Sequence, residues 1–423
     1  KKFKDLLKEL ERFEKQNKEQ ATIVKKLKAI SLLEGKIEEV EGAIKELVQN
    51  KTEIMIKVHA MTLAWEKEDK DVRKLWQEMN GWVYKGFEET YKSIGIKPEK
   101  FYYESDVYNL GKETVEDGLK KGVFFKKDDG SVWIDLKAEG LDDKVVLRSN
   151  GTTVYITQDI ATANEKERDY KIDKSIYVVG NEQEHHFKVL FIILKKLGRT
   201  YADNLFHLSY GMVELPSGKM KSREGTVVDA DDLIDEVVTQ AEETTKELGK
   251  IEGFTDDEAK HLFKTIGLAA LKYFILKVDP KKKMLFNPKE SLDFHGNTGP
   301  FIQASYVRTR AVIRKSGLDE THFGTEDFKT EGLLMNEREK EVVRSLHEFP
   351  EVVAEAGTNY SPALIANYIY ELAKHYNQFY HEHYILTEPD ERIKQFRILL
   401  SWKTGLVLKK GMALLGIEVP ERM

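Results

Sequence analysis

Cysteine is absent from the 423-residue sequence. Without thiols these residues can form no disulfide scaffold, no thiolate metal site and no cysteine nucleophile. The absence fits a reducing compartment, where disulfides are rare. Any reactive or ligand-binding group in these residues must therefore be a carboxylate, an amine, an imidazole, a hydroxyl or another sulfhydryl-free group.

Long apolar runs and a strong charge imbalance are absent as well. No run approaches the roughly 20 apolar residues of a membrane-spanning helix, and the charged stretch 1–20 lacks the apolar centre of a signal peptide. The formal net charge of -6 argues against a non-specific coat for nucleic acid, although local basic faces can still bind a polyanion. We therefore expect a cytoplasmic protein with no membrane partner, and a monomer by default.

Hydrophobic residues make up 41% of the chain, which is enough for packed cores, and its length suggests two or three domains. Apolar residues recur at helical spacing up to about residue 95, as in Ile37, Val40 and Ile44. This pattern predicts a solvated helical hairpin or insertion.

From Phe101 onward the pattern changes to short β-rich runs separated by turns and helices. The predicted strands are 101–103, 123–125, 132–136, 145–147, 175–179 and 205–210, with 175–179 expected to be buried, and the predicted helices are 152–164 and 187–197. Alternating strands and helices imply a parallel α/β sheet. From residue 254 nearly the whole pattern is helical.

Tyr155 and Asp159 stand four residues apart in the predicted helix, so they share one face. A carboxylate can hold a guanidinium through two parallel hydrogen bonds, which an ammonium cannot imitate, and an aromatic ring adds an apolar wall. The pair predicts a site for a cationic ligand. The alternative is an ordinary solvated helix edge.

A second candidate site follows the predicted strand 175–179. Gly180 would let a ligand approach the backbone, and the helix that follows would favour an anion at its N-terminus. His185 and His186 suggest a metal, but adjacent helix residues point apart and no third ligand stands at a suitable spacing. We therefore expect no metal and place His186 beside a nucleotide.

Three cations, Lys219, Lys221 and Arg223, lie in the glycine-bounded loop 215–226. Such a loop suits a phosphate clamp, because phosphoryl chemistry needs positioning and charge neutralisation more than covalent help. The alternative is an exposed basic loop.

Several stretches, in this order along the chain, resemble class I arginyl-tRNA synthetases. They are Leu147–Ile160, Tyr177–His186, Gly218–Thr226, Asn297–Gln303 and Leu414–Met423. The resemblance runs from Trp76 to Met423, whereas residues 1–70 resemble the family only loosely.

The resemblance implies a fold of the α/β plus all-α class. Residues 1–100 would form a helical insertion, and residues 101–253 the second half of a Rossmann-like parallel-sheet catalytic domain. Residues 254–423 would form an α-helical anticodon-binding bundle.

The resemblance also implies a reaction and roles for the candidate residues. L-Arginine would be activated by ATP and Mg2+ as arginyl-adenylate and transferred to tRNA(Arg). Asp159 would face the guanidinium, with Tyr155 as its aromatic neighbour and Gln183 as a polar partner. The residues that would bind ATP are Gly180, His186, Met220, Lys221 and Ser222, and those that would be catalytic are Lys219, Lys221 and Arg223.

The sequence departs from the family's pattern in two places. Lys221 and Ser222 stand where the family's Lys-Met-Ser-Lys-Ser-type loop has serine and then lysine, so the lysine that meets the phosphates stays open between Lys221, which we favour, and Lys219. The His-x-Gly-His-type motif of class I synthetases does not occur in this sequence. We therefore expect a chain that is N-terminally incomplete for catalysis, with a non-catalytic tRNA-binding fragment as the alternative function.

The C-terminal helices carry the candidate tRNA contacts. The residues predicted to bind tRNA are Tyr306, Arg308, Arg310, Arg314, Tyr380, Tyr384 and Met423. Cations neutralise phosphates, and aromatic rings stack on unpaired bases. The alternative for Tyr380 and Tyr384 is half-buried helix packing.

Overall fold

The computed structural model describes residues 28, 30–37, 40–42, 44, 48, 52–214, 229–249, 251–318 and 332–423. The chain forms two units, residues 1–91 and residues 92–423. No helix of the described part is long and apolar enough to cross a membrane.

The described residues of the first unit are helical, as their periodicity predicts. Helix α1 spans Glu53–Glu66 and helix α2 spans Lys70–Ile94, and neither buries any residue completely. The rings of Trp65 and Trp76 meet edge to face at 5.3 Å, and the guanidinium of Arg73 lies 3.6 Å from the Trp65 ring centroid. Aromatic and cation–π contacts therefore join the two helices where they meet.

The second unit begins with a helix that the sequence pattern did not indicate. Helix α3 spans Glu104–Lys120, and the strand predicted at 101–103 is not formed. Gly111 and Gly118 lower the helix propensity of this segment. Both face close neighbours, since a side chain at Gly118 would collide with the ring of Phe124. Tertiary packing therefore overrides local propensity here.

A small antiparallel sheet follows, with strand order β1-β2-β3. The strands are β1 (Phe125–Lys126), β2 (Val132–Ile134) and β3 (Lys144–Leu147), which confirms three of the predicted strands with shifted ends. The sheet is antiparallel, so the expected parallel arrangement was wrong for these strands. Residues 127–131 join β1 to β2 and residues 135–143 join β2 to β3, and both connections are shorter than the crossover of a dozen or more residues that a parallel pair needs.

The predicted parallel pairing is confirmed in the next two strands. Strand β4 (Ser175–Gly180) lies beside β5 (Leu205–Tyr210), and helix α5 (Glu184–Lys196) makes the crossover between them. Helix α4 (Tyr155–Tyr170) precedes β4.

The expectation that strand 175–179 is buried was wrong for one of its faces. Tyr177 and Val179 pack against a core that includes Leu190 and Ile193 of α5, but Val178 is 62% exposed. Successive side chains of a strand point to opposite faces, and the helices cover only the face of Tyr177 and Val179.

Helices dominate the remainder, which confirms the expected fold class. The helices are α6 (Ala230–Glu247), α7 (Asp256–Leu276), α8 (Pro288–Ser291), α9 (Gly299–Ser316), α10 (Glu337–Asn359), α11 (Pro362–Glu382) and α12 (Glu391–Leu414). Strands β6 (Val213–Glu214) and β7 (Met284–Leu285) form one short parallel pair. The core of the helical part contains the fully buried rings of Tyr273, Tyr306 and Tyr376. The domain limits given above stay predictions.

Candidate functional site

The candidate site lies where the two parallel strands end. Gly180 closes β4 and pairs with Tyr210, the last residue of β5. A 3-10 turn, Asn181–Gln183, follows Gly180, and α5 begins at once with Glu184. The carboxyl ends of parallel strands form the edge at which open α/β sheets bind ligands.

Gly180 has room beside it at this edge. A Cβ atom added to Gly180 would meet the ring of Tyr210 at 3.7 Å, an ordinary van der Waals contact. Its φ of -58° is open to any residue, so backbone conformation does not require glycine here. Close approach of a ligand is therefore a better explanation for the glycine than a strained turn.

Asp159 and His186, predicted for two different ligands, are in direct contact. The Nε2 atom of His186 lies 2.6 Å from the Oδ2 atom of Asp159. The bond joins the second turn of α4 to the first turn of α5. The Asp159 side chain is 41% exposed and that of His186 is 22% exposed, so the carboxylate keeps an open side towards solvent.

Tyr155 and Gln183 both reach solvent near this pair. Tyr155 is the first residue of α4, one turn before Asp159, and it is 73% exposed. Gln183 is exposed in the turn just before α5. The helix predicted at Tyr155 is confirmed, and with it the shared face of Tyr155 and Asp159. The arginine-binding roles of these residues stay predictions.

Lys166 and Tyr177 were missed by the sequence reasoning. The ammonium of Lys166 lies 4.6 Å from the ring centroid of Tyr177. Burial lowers the pKa of Lys166, against the opposite effect of nearby Asp159, and burial raises the pKa of Tyr177 to about 12. Lys166 follows Asp159 by seven residues, two turns of the same helix face, so its spacing was the available signal.

The predicted phosphate loop lies outside the described residues. The residues concerned are Lys219, Met220, Lys221, Ser222 and Arg223. Their roles therefore stay predictions from the sequence. Strand β6 leads towards the loop and α6 begins after it, so both of its flanks belong to the same unit as Asp159.

Three of the candidate tRNA contacts, Tyr306, Arg310 and Arg314, converge on one residue, Glu421. The hydroxyl of Tyr306 donates to it at 2.6 Å, Nε of Arg310 at 2.8 Å and the ammonium of Lys409 at 3.1 Å. Arg314 donates to the backbone oxygen of Glu421 at 2.9 Å. Burial raises the pKa of Glu421, but these donors outweigh it and leave that pKa below its usual value.

Tyr306 does not fit the stacking role expected from the sequence. Its ring is 2% exposed in the helical core, so it has no face to offer a base. An aromatic residue on an amphipathic helix can lie on the buried face as readily as on the exposed one, and Tyr306 lies on the buried face. Its hydroxyl instead helps to fix Glu421.

Tyr380 and Tyr384 are exposed at the surface, and Arg308 is half-buried beside Tyr380. The guanidinium of Arg308 lies 5.1 Å from the Tyr380 ring centroid and donates to Asn377. Tyr380 is 36% exposed and Tyr384 is 81% exposed. Met423 is half-buried against the hydrophobic cluster that contains Leu262 and Leu292. The alternative of half-buried packing suits Tyr380 better than Tyr384.

Comparison with protein families gives two matches. The model of class I tRNA synthetases (R), catalytic domain, matches residues 10–287. The model of the DALR anticodon binding domain matches residues 302–423. Together the two matches cover most of the chain. The catalytic-domain match includes the strands, and the anticodon-domain match covers helices that follow them.

Comparison with individual proteins finds arginine–tRNA ligases among the similar relatives. The arginine–tRNA ligase of Bacteroides thetaiotaomicron is 55% identical over 90% of this chain, and that of Flavobacterium psychrophilum is 53% identical over 90%. This chain spans 64% and 63% of the lengths of those two curated relatives.

Solved structures show the same fold at lower identity. The arginyl-tRNA synthetase of Thermus thermophilus aligns with a TM-score of 0.71 and 23% identity, covering 85% of this chain and 68% of that one. The enzyme of Plasmodium falciparum aligns with a TM-score of 0.72 and 24% identity, covering 90% of this chain and 63% of that one.

Proposed function

The chain belongs to the class I arginyl-tRNA synthetases, and from this membership we propose that it takes part in the ATP-dependent attachment of L-arginine to tRNA(Arg). One structural observation supports the proposal above the others. A half-exposed carboxylate, Asp159, lies on the helix that precedes β4 and is bonded to the first turn of the helix that follows it.

Asp159 suits a guanidinium better than other cationic groups. A planar guanidinium can meet both oxygens of a carboxylate at once, whereas an ammonium meets them as a point charge. The exposed ring of Tyr155 one turn earlier and the exposed amide of Gln183 would complete the surroundings of the arginine side chain.

ATP would lie along the same edge of the sheet. Gly180 leaves room for close approach, and the start of α5 provides the partial positive charge that suits an anion. The cations of the loop 215–226, above all Lys221, would neutralise the phosphates. Mg2+ would arrive with ATP, because phosphate oxygens are ligands that this ion prefers.

The proposed reaction has two steps. An oxygen of the arginine carboxylate attacks the α-phosphorus of ATP, the bond to the β-phosphate breaks, and pyrophosphate leaves. A ribose hydroxyl at the end of tRNA(Arg) then attacks the activated carbonyl, loses its proton, and AMP leaves. Both steps depend on holding anionic reactants in line, and a fixed pocket reduces the entropy that this costs.

The helical part would bind the tRNA. Arg308, Tyr380 and Tyr384 present a cation and two aromatic surfaces that suit a phosphate and unpaired bases. The carboxylate of Glu421 pairs with Arg310, so this arginine would attract the RNA less strongly, whereas Arg314 donates to the backbone oxygen of Glu421.

Exchange of labelled pyrophosphate into ATP tests the proposal directly. We expect exchange that depends on L-arginine and is not supported by L-citrulline, which has the same shape without the charge. Arginine-dependent exchange would exclude the alternative of a non-catalytic fragment. Binding of tRNA(Arg) without any exchange would favour that alternative for this chain.

A further inference from the structure

The contact between Asp159 and His186 has a defined direction. A carboxylate only accepts hydrogen bonds, so the Nε2 atom of His186 must carry the proton of the 2.6 Å bond. The two residues are 27 positions apart and belong to different helices, α4 and α5. The bond therefore fixes the orientation of the carboxylate relative to the helix that follows β4.

A free aspartate carboxylate has little orientation of its own. Rotation about its last torsion is broad and roughly two-fold, whereas a guanidinium fork needs the carboxylate plane in one orientation. The two oxygens offer about four acceptor positions. One bond from His186 to Oδ2 therefore leaves enough positions on both oxygens for a guanidinium.

His186 is itself held in place by an aromatic platform. Its ring meets Phe187 edge to face at 5.6 Å, and Phe187 is 7% exposed. Phe187 in turn contacts His207 at 4.5 Å and Tyr177 at 5.1 Å between ring centroids. The imidazole packs on these rings and is only 22% exposed, so its orientation towards Asp159 is restricted.

Lys166 is the competing cation near this carboxylate. Its ammonium lies over the Tyr177 ring, and its half-buried position lowers its pKa. A single hydrogen bond from His186 to one oxygen of Asp159 leaves the other oxygen open to a guanidinium. A direct ion pair with Lys166 would instead consume the negative charge of the carboxylate.

We propose that His186 is a positioning residue for arginine recognition, which orients the Asp159 carboxylate without touching the substrate. This inference rests on the proposed function, because it assigns Asp159 to the guanidinium. It replaces the nucleotide contact expected for His186 from the sequence.

The test compares L-arginine, L-citrulline and ATP binding to this chain by titration calorimetry. His186→Leu removes the donor, and His186→Gln keeps an N–H donor at similar reach. His185→Leu is the matched control, since His185 is the exposed neighbour on the same helix turn. Asp159→Asn reports on the proposed function independently, and thermal unfolding is recorded for every variant.

We expect His186→Leu to weaken arginine binding about tenfold or more, the scale of one hydrogen bond to a charged group. The arginine affinity of His186→Gln should stay within about threefold of that of the unsubstituted chain, because the N–H donor is kept. His185→Leu should change nothing, and the affinity for ATP should be the same in all of these variants. The preference for arginine over citrulline should fall in His186→Leu even where its unfolding temperature is unchanged.

Two results would overturn the role of His186 and leave the proposed arginine site standing. Either His186→Leu binds arginine as the unsubstituted chain does while Asp159→Asn does not, or His186→Leu weakens ATP as much as arginine. If the unsubstituted chain and Asp159→Asn bind arginine equally poorly, the proposed arginine site itself is wrong, and the role of His186 with it.

Discussion

At the scale of single residues, the proposed arginine site depends on one carboxylate, Asp159, which has one bonded side and one side open to solvent. One oxygen of Asp159 is bonded to His186, and the side chain remains 41% exposed. Burying a guanidinium against it would pair two charges, and a site left with an unpaired carboxylate is costly. We therefore expect selectivity for arginine to depend on Asp159 more than on its neighbours.

Asp159→Asn is expected to weaken arginine binding at least ~100-fold, on the scale of a lost hydrogen-bonded charge pair. The asparagine keeps the shape but loses the charge. Calorimetric titration with L-arginine measures the effect, and Asp173→Asn, which removes an exposed carboxylate just beyond α4, is the control. Near-normal affinity in Asp159→Asn would contradict the assignment.

The sequence predicted Tyr155 and Asp159 on one helix face because that relation is local. It could not predict the partner of Asp159, since His186 is 27 residues away and meets it only after α4 and α5 have packed. Tyr306 shows the same limit. Its residue type suits RNA stacking, but only the packed helices reveal that its ring is buried.

At the scale of elements, the C-terminal segment after α12 ties several helices together. Gln303 in α9 donates to the backbone oxygens of Thr265 and Glu418 at 3.2 and 2.9 Å, and Lys272 in α7 donates to Gly416 at 2.6 Å. Ile417 lies in the main helical core. The segment is therefore a structural part of the bundle. The carboxylate of Glu421 within it accepts bonds from side chains of α9 and α12.

Glu421→Gln is expected to lower the free energy of unfolding by about 1 kcal/mol at neutral pH, a value kept small because the side chain is 52% exposed. Because the pKa of Glu421 is lowered in the folded chain, its stabilisation is present above the unfolded pKa. It is lost as the pH falls through the folded pKa. The gap between Glu421→Gln and the unsubstituted chain should therefore close below about pH 4.

Urea unfolding at a series of pH values measures this gap. Glu418→Gln in the same segment is the control, and it should change stability by less than about 0.5 kcal/mol because that side chain is 68% exposed. A gap that persists unchanged in acid would show that the charge of Glu421 is not what stabilises the segment.

Close packing of α7 against α9 depends on one glycine. A Cβ atom at Gly299 would lie 2.7 Å from the backbone carbonyl carbon of Ala269, which cannot move aside as a side chain does. Gly299→Ala should therefore lower the free energy of unfolding by about 1–3 kcal/mol, the usual range for overpacking.

Gly357 in α10 is the matched control for this substitution. A Cβ atom there would meet no atom within 4 Å, so Gly357→Ala should be neutral or stabilising by up to about 1 kcal/mol. Thermal unfolding of both variants measures the contrast. Equal effects would refute the role given to close helix packing.

Element positions followed from the sequence where local pattern and tertiary packing agree. Strand β5 was predicted at its observed bounds, Leu205–Tyr210, because the β-rich run there also pairs along its whole length with β4. Helix α3 was missed because its glycines, which weaken a helix in isolation, are required by its close neighbours. The exposed face of β4 was likewise a property of packing and not of the strand's own residues.

At the scale of the whole molecule, the proposed amino-acid site on an α/β sheet and the helical region proposed to bind tRNA belong to one chain. The two family models meet along one chain in that order, over residues 10–287 and 302–423. With a formal net charge of -6, the chain as a whole would not attract tRNA, so the proposed binding would depend on local basic faces.

Binding of this chain to tRNA(Arg), beside the same tRNA with a replaced anticodon and at one salt concentration, tests the account most directly. The account predicts tight binding that falls about tenfold or more with the replaced anticodon, the size of one base contact. Equal affinity for both tRNAs would contradict the claim that the helical domain selects the tRNA whose amino acid the sheet domain binds.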